Sequence, residues 1–169
     1  GADLVTLSLH KTGGALTQAS VLLHNDGIIT KNRVRSTINL FQTTSASYLL
    51  MCSIDVARKK LVLEGHERFE KLLNLTRKAK EEINSIKGLK CITQNLYRNG
   101  VGVFDYDELK LVVKVSELGI SGFKVYDMLA EQYKIQIELA EPNVILAIIS
   151  LGDNEDTIRT LIDALRDIS

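Results

Sequence analysis

The apolar positions change period several times along the chain. ADLVTLSL is short and rich in Leu and Val, and reads as a buried β-strand. HKTGGALTQ comes next as a turn or loop. ASVLLHN is a second strand, stopped by the turn signal Asn25-Asp26-Gly27. KNRVRSTINLF has helical spacing. TTSAS is a polar break in which Ser45 or Ser47 caps a second helix. From Tyr48 this helical region runs to about Lys87, with an interruption expected near Gly65. Its second half places Phe69, Leu72, Leu73, Thr76, Ala79, Ile83 and Ile86 on one stripe at three and four spacing. Arg77, Lys78, Glu81 and Glu82 fall on the other face, which reads as solvated helix surface.

Gly88 ends that helix, and strands and helices alternate beyond it. LKCIT is a short strand. GVGVFDYDELKLVVKV carries another, with Leu109, Leu111, Val113 and Val115 pointing one way. SGFKVYDMLAEQY is a helix capped by Ser121. KIQIELA and NVILAIIS are strands. DNEDTIRTLIDALRDIS is a helix with Asp153 as N-cap, Asp156 in its first turn and Ile158, Leu161, Ile162 and Leu165 inside. The β-β-α-β-β-α run from 88 to 169 predicts a small α+β layer. Three parts are expected: a strand pair with its loop and the next helix (1–45), a long helical connector (46–87) and a compact C-terminal domain (88–169).

Composition bounds the function. The chain has 169 residues, 45% hydrophobic and 25% charged, an ordinary globular balance. With 21 Lys plus Arg against 21 Asp plus Glu the formal charge is zero, so no nucleic-acid partner is expected. No apolar run reaches the ~18 residues of a membrane span. GADLVTLSL carries no basic leader or cleavage pattern and is not expected to be a signal peptide. It opens directly on strand-like residues, as a segment of something longer would. Cys52 and Cys91 lie in apolar or amphipathic surroundings without a Cys/His cluster. Both are expected to be reduced, buried thiols of a cytoplasmic protein, and no metal site is expected.

The candidate chemistry sits in SLHKTGG, Ser8 to Gly14. Lys11 has three readings: a solvated loop residue, an anion clamp or a nucleophile. A lysine in water is protonated and attacks poorly. In a partly desolvated pocket, or near another cation, its amine can add to a carbonyl. His10 could lower its basicity or hold an anion. The Thr12-Gly13-Gly14 turn lets backbone approach a ligand, and the Ser8 hydroxyl could reach a phosphate. The glycine spacing is not that of a Walker loop. His24 and His66 read as surface or helix histidines, and Tyr97, Tyr106 and Tyr126 as packing residues. Asp105, Asp107 and Glu108 could recognise a basic substrate, but a solvated turn before a strand is the simpler account.

ADLVTLSLHKTGGALTQAS resembles the lysine segment of the bacterial ornithine/lysine/arginine decarboxylases, pyridoxal-phosphate enzymes of the aspartate-aminotransferase fold (fold type I). That pattern is an apolar strand, Ser-x-His-Lys-Thr, a small-residue turn and Leu-Thr-Gln, here Ser8, His10, Lys11, Thr12 and Leu16-Thr17-Gln18. INLFQTTSASYLLMCSIDVARKKL is similar to the family's Gln-x-Thr-Ser-x-Ser-Tyr-Leu-Leu-Met block, with Ala46 where proline is usual. FDYDELKLVVKVSELGISGFKVYDML and NVILAIISLGDNEDTIRTLIDAL resemble its small-domain strands and helices. The likeness runs in order along essentially the whole chain. Its HKTGG form is closest to the shorter, Gram-positive-type members called arginine decarboxylases.

The resemblance implies an α/β protein, the C-terminal part of a pyridoxal-phosphate-dependent transferase with an α+β small domain. It implies pyridoxal 5'-phosphate as cofactor and a Schiff base on Lys11, which later returns a proton to the substrate carbon. His10 and Ser8 would contact the cofactor phosphate, and Thr44 and Ser45 would approach the phosphate of a neighbouring subunit. The implied reaction is decarboxylation of a basic amino acid, arginine to agmatine in polyamine synthesis, with lysine or ornithine next, in a cytoplasmic homo-oligomer, a dimer or higher. The family's phosphate loop, ring-stacking histidine and pyridine-pairing aspartate precede the lysine strand and are not in this sequence, and a further C-terminal domain would come after Ser169. Little decarboxylation is therefore expected from these residues alone. The competing reading is a non-catalytic α+β interaction or oligomerisation module.

Overall fold

A computed structural model describes residues 2–93 and 105–169. Tyr97 and the first part of the GVGVFDYDELKLVVKV segment lie outside the described residues. The chain forms two compact units, Gly1–His66 and Glu67–Ser169.

The first unit is built on a hairpin. β1 (Leu4–Leu7) pairs antiparallel with β2 (Val21–His24), in the register Leu4 to His24 and Leu7 to Val21. Between them the chain makes one turn of helix, α1 (Leu9–Thr12), where the sequence predicts only a turn or loop. Leu4, Leu22, Ile29, Val34 and Ile38 line a cavity of about 250 Å³ between the hairpin and α2 (Lys31–Phe41). The other face of the hairpin carries Val5, Leu7 and Leu23, which remain 38%, 41% and 52% exposed. The expected buried strand is thus exposed. Its residues are apolar on both faces, as a strand between two layers requires, and the hairpin meets α2 on one face.

α3 (Tyr48–Ser85) begins in the first unit and ends in the second. Ser47 caps it, its Oγ accepting from Leu50 N at 3.4 Å. The interruption expected at Gly65 does not occur. A glycine inside a helix costs about 1 kcal/mol relative to alanine, too little to break a 38-residue ladder. The predicted stripe is the buried one: Leu72, Thr76, Ala79, Ile83 and Ile86 all lie in the core.

The second unit packs α3, α4 (Gly122–Glu131) and α5 (Glu155–Ile168) with a four-stranded antiparallel sheet of order β3-β4-β6-β5. The strands are β3 (Lys90–Cys91), β4 (Lys110–Lys114), β5 (Leu139–Ala140) and β6 (Val144–Ile148). A 3-10 turn, Ser116–Leu118, comes after β4. Leu109, Leu111, Val113 and Val115 are buried as the alternation predicts, and pair with a β6 whose Ile145 and Ala147 face the same core. Ile83, Leu111, Leu129, Ile145 and Leu165 are buried almost completely, each contributing about 1.5–3 kcal/mol of transfer free energy. KIQIELA yields only the two-residue β5, because Lys134 takes a left-handed φ of 59° and the chain pairs only from Glu138, whose N donates to Leu146 O. Asn154, not Asp153, caps α5. The Asn154 side chain accepts from Asp156 and Thr157 N, while the Asp153 carboxylate is turned back to Ser150 N and Oγ.

Candidate cofactor site

The hairpin places Ser8, His10 and Lys11 on a single helical turn between its two strands. Ser8 is the N-cap of α1, and its hydroxyl makes no capping bond. Its carbonyl accepts from Lys11 N at 3.0 Å, closing the turn. Gly13 N donates to Leu9 O at 2.9 Å, and an added Cβ at Gly13 would lie 2.6 Å from Leu9 Cδ1. A larger residue at Gly13 would require the Leu9 side chain to shift. Gly14 is different: its φ is +83°, with open space where a Cβ would stand. Lys11, three residues before it, is exposed.

His10 is fixed. Its Nδ1 lies 2.9 Å from Ala19 O, and its main-chain N donates to the same oxygen at 3.2 Å. A carbonyl only accepts, so Nδ1 carries the hydrogen and Nε2 is the nitrogen left to face the turn's surroundings. Thr44 and Ser45 lie on the exposed link between α2 and α3. The donor set at α1 is a primary amine, a hydroxyl and an imidazole within four residues. That set fits a phosphorylated aldehyde such as pyridoxal phosphate: the amine condenses with the aldehyde, and the other two suit the phosphate.

The remaining candidates are structural. His24 Nε2 lies 2.7 Å from Ile29 O, and its Nδ1 lies 3.6 Å from Asp26 Oδ1. His66 is exposed on α3. Tyr126 packs against the core and accepts a hydrogen bond from Gln136. Asp105 and Asp107 are exposed, in keeping with a solvated turn. Glu108 is tied to Arg77, which holds its carboxyl below the usual carboxylate range. Cys91 is buried as expected, whereas Cys52 is exposed on the early part of α3.

Two features escaped the sequence. Ala19 acts through its carbonyl, which no side-chain pattern announces. Lys80 is buried inside the apolar stripe of α3, and its one signal was a cation between Ala79 and Ile83.

The backbone arrangement defines the class. An alanine–glyoxylate aminotransferase from a Nostoc species superposes with a TM-score of 0.64 at 16% identity, covering 99% of this chain and 48% of its own. A lysine decarboxylase from Francisella novicida superposes with a TM-score of 0.78 at 22% identity, covering 96% of this chain and 27% of its own. The chain thus shares its fold with a segment of a decarboxylase and of an aminotransferase. The family described as Orn/Lys/Arg decarboxylase, major domain, matches residues 2–157, and this chain belongs to it. It is 41% identical to an arginine decarboxylase of Bacillus cereus over all 169 residues, which make up 36% of that protein. The chain thus spans about a third of the length of the curated relatives it matches. Among the described residues, no helix is long and apolar enough to cross a membrane.

Proposed function

We propose that this chain is the lysine-bearing segment and small domain of a pyridoxal-phosphate-dependent decarboxylase that converts arginine to agmatine and carbon dioxide. Relatives named arginine decarboxylase support arginine, and lysine and ornithine stand next because the family takes in all three. One observation carries the reading: Ser8, His10 and Lys11 share one turn, with the His10 ring held at Ala19 O and Lys11 exposed beside it.

The chemistry supplied when pyridoxal phosphate is bound is an electron sink for the departing carboxylate. Lys11 Nζ is the atom that would hold the cofactor's aldehyde carbon, and it would deliver a proton to the substrate α-carbon once carbon dioxide has left. Covering the turn from water favours the neutral amine that this needs. Ser8 and His10 would hold the phosphate, and Thr44 and Ser45 would approach it from a neighbouring subunit. The homo-oligomer and the cytoplasmic location belong to the same reading. Leu40, Phe41, Tyr48 and Leu49 support the oligomer, since they are 71–81% exposed at the end of α2 and the start of α3. The same exposure favours the alternative, an interaction module without catalysis.

Incubation of the chain with pyridoxal phosphate, borohydride reduction and peptide mapping tests the cofactor reading. A single adduct on Lys11 is expected. Labelling spread over surface lysines, or none, means that the cofactor site needs the upstream half that the family places before the lysine strand, and turnover retained by Lys11→Ala in the full-length protein overturns the cofactor reading and leaves the module.

A further inference from the structure

Ala19 is 2% exposed, and its one carbonyl receives both the main-chain N and the ring Nδ1 of His10, at 3.2 and 2.9 Å. Ala19 is itself held. Its N donates to Leu16 O at 3.1 Å, closing a four-residue turn over Leu16, Thr17, Gln18 and Ala19. Gln18, the third residue of that turn, has a φ of 71°. Turns of this kind ordinarily put glycine there, because a side chain resists the left-handed region. Such conformations persist where the surroundings hold them. Leu16 N in turn donates to Ser53 Oγ on α3 at 3.3 Å, and that hydroxyl donates to Leu50 O at 2.7 Å. One chain of hydrogen bonds therefore runs from α3 to the imidazole beside Lys11.

We propose that Ser53 is a positioning residue for the lysine turn, acting through the Leu16–Ala19 turn to fix the His10 ring as its Nδ1–H tautomer beside Lys11. This rests on the cofactor reading of Lys11 for its purpose, but not for its geometry. An unconstrained neutral imidazole favours the hydrogen on Nε2, so the clamp selects the less common form. Ser53 is suited to the task because its hydroxyl both accepts from Leu16 and is aimed by its own bond to the helix backbone. Gln18 completes the device: its left-handed backbone turns the Ala19 carbonyl back towards His10.

The test uses the 169-residue chain and two readouts: the long-range ¹H–¹⁵N spectrum of His10 with the ring neutral, and the rate of reductive labelling of Lys11 by pyridoxal phosphate. Wild type should show hydrogen on Nδ1. Ser53→Ala should populate the Nε2–H form and slow labelling about fivefold, the factor one ordinary hydrogen bond is worth. Ser53→Thr, which keeps the hydroxyl, should restore both, and Gln18→Gly should preserve both where Gln18→Val does not. Hydrogen on Nε2 in wild type overturns the proposal. So does an unchanged tautomer in Ser53→Ala or, where wild type is labelled selectively at Lys11, a lost tautomer with an unchanged labelling rate. Unselective labelling of wild type with the Nδ1–H tautomer present, and lost in Ser53→Ala, upholds the clamp and shows that this chain alone does not select the cofactor.

Discussion

Arg77 grips both carboxylate oxygens of Glu108, Nε to Oε2 and Nη2 to Oε1, each at 2.7 Å. The fork geometry matches the carboxylate, and only 17% of the Glu108 side chain is exposed. The Arg77 hydrogen bonds lower the Glu108 pKa from its ordinary 4.5, against the opposing effect of burial. A depressed carboxylate adds stability above its unfolded pKa and loses it as pH falls through the folded one. Glu108→Gln should therefore lower the urea midpoint at pH 7 and match wild type well below pH 4.5. Equal midpoints at pH 7 would show that the pair contributes nothing.

Lys80 lies one helical turn from Arg77 and is only 3% exposed. Its Nζ donates to Glu108 O at 2.8 Å and sits 4.8 Å from the centre of the Tyr106 ring. Burial lowers its pKa from the ordinary 10.5, with the Glu108 charge acting the other way. Lys80→Met keeps most of the stem but orphans the Glu108 carbonyl, and should cost about 1–3 kcal/mol in urea unfolding at pH 7. The pH dependence has a definite sign. Between the lowered folded pKa and 10.5 the unfolded chain binds more protons, so wild type gains stability as pH rises. The gap between wild type and Lys80→Met should widen from pH 7 to pH 10. A gap that shrinks would mean that the ammonium is not desolvated.

The periodic elements were legible because their pattern is set by what they bury. The inner faces of β4 and α5 are the predicted residues, and α2 spans the predicted KNRVRSTINLF although only Val34 and Ile38 on it are even half-buried. The misses have a different physical origin. Asp153 and Asn154 are both good caps, and only the competing bonds from Ser150 decide between them. Leu4, Val5 and Leu7 read as buried because their composition answers to layers on both faces of the hairpin. At the site, SLHKTGG announced its side chains. What holds His10 is a main-chain carbonyl and a left-handed glutamine, and neither has a side-chain signature.

The two cysteines should separate by reactivity. Cys52 is exposed, whereas Cys91 is 2% exposed and burial pushes its thiol up to about 12. At pH 8 its thiolate fraction is then on the order of 10⁻⁴. Iodoacetamide should label Cys52 alone in the native chain and both residues in urea, read by peptide mass. Equal labelling of Cys91 without urea would show that β3 opens readily.

Gly122 and Gly119 flank the start of α4 and are glycine for different reasons. A Cβ on Gly122 would lie 2.2 Å from Glu141 O and 2.6 Å from Val144 O, both main-chain atoms of the turn joining β5 to β6. That turn is tied to the same glycine, whose N donates to Pro142 O at 3.0 Å. Neither oxygen can yield without distorting the pairing of β5 with β6. Gly119 has open space around it and a φ of +75°, so alanine there meets only the left-handed penalty of about 1–2 kcal/mol. Gly122→Ala should cost more, about 3 kcal/mol or above, because overpacking against backbone cannot relax through a side chain. Amide exchange should locate the difference. Gly122→Ala should speed exchange at Glu138, Glu141 and Leu146, while Gly119→Ala leaves those amides slow. A Gly122→Ala chain as stable as Gly119→Ala would mean that the β5–β6 turn moves freely against α4, and that the small domain is less tightly fixed than this contact requires.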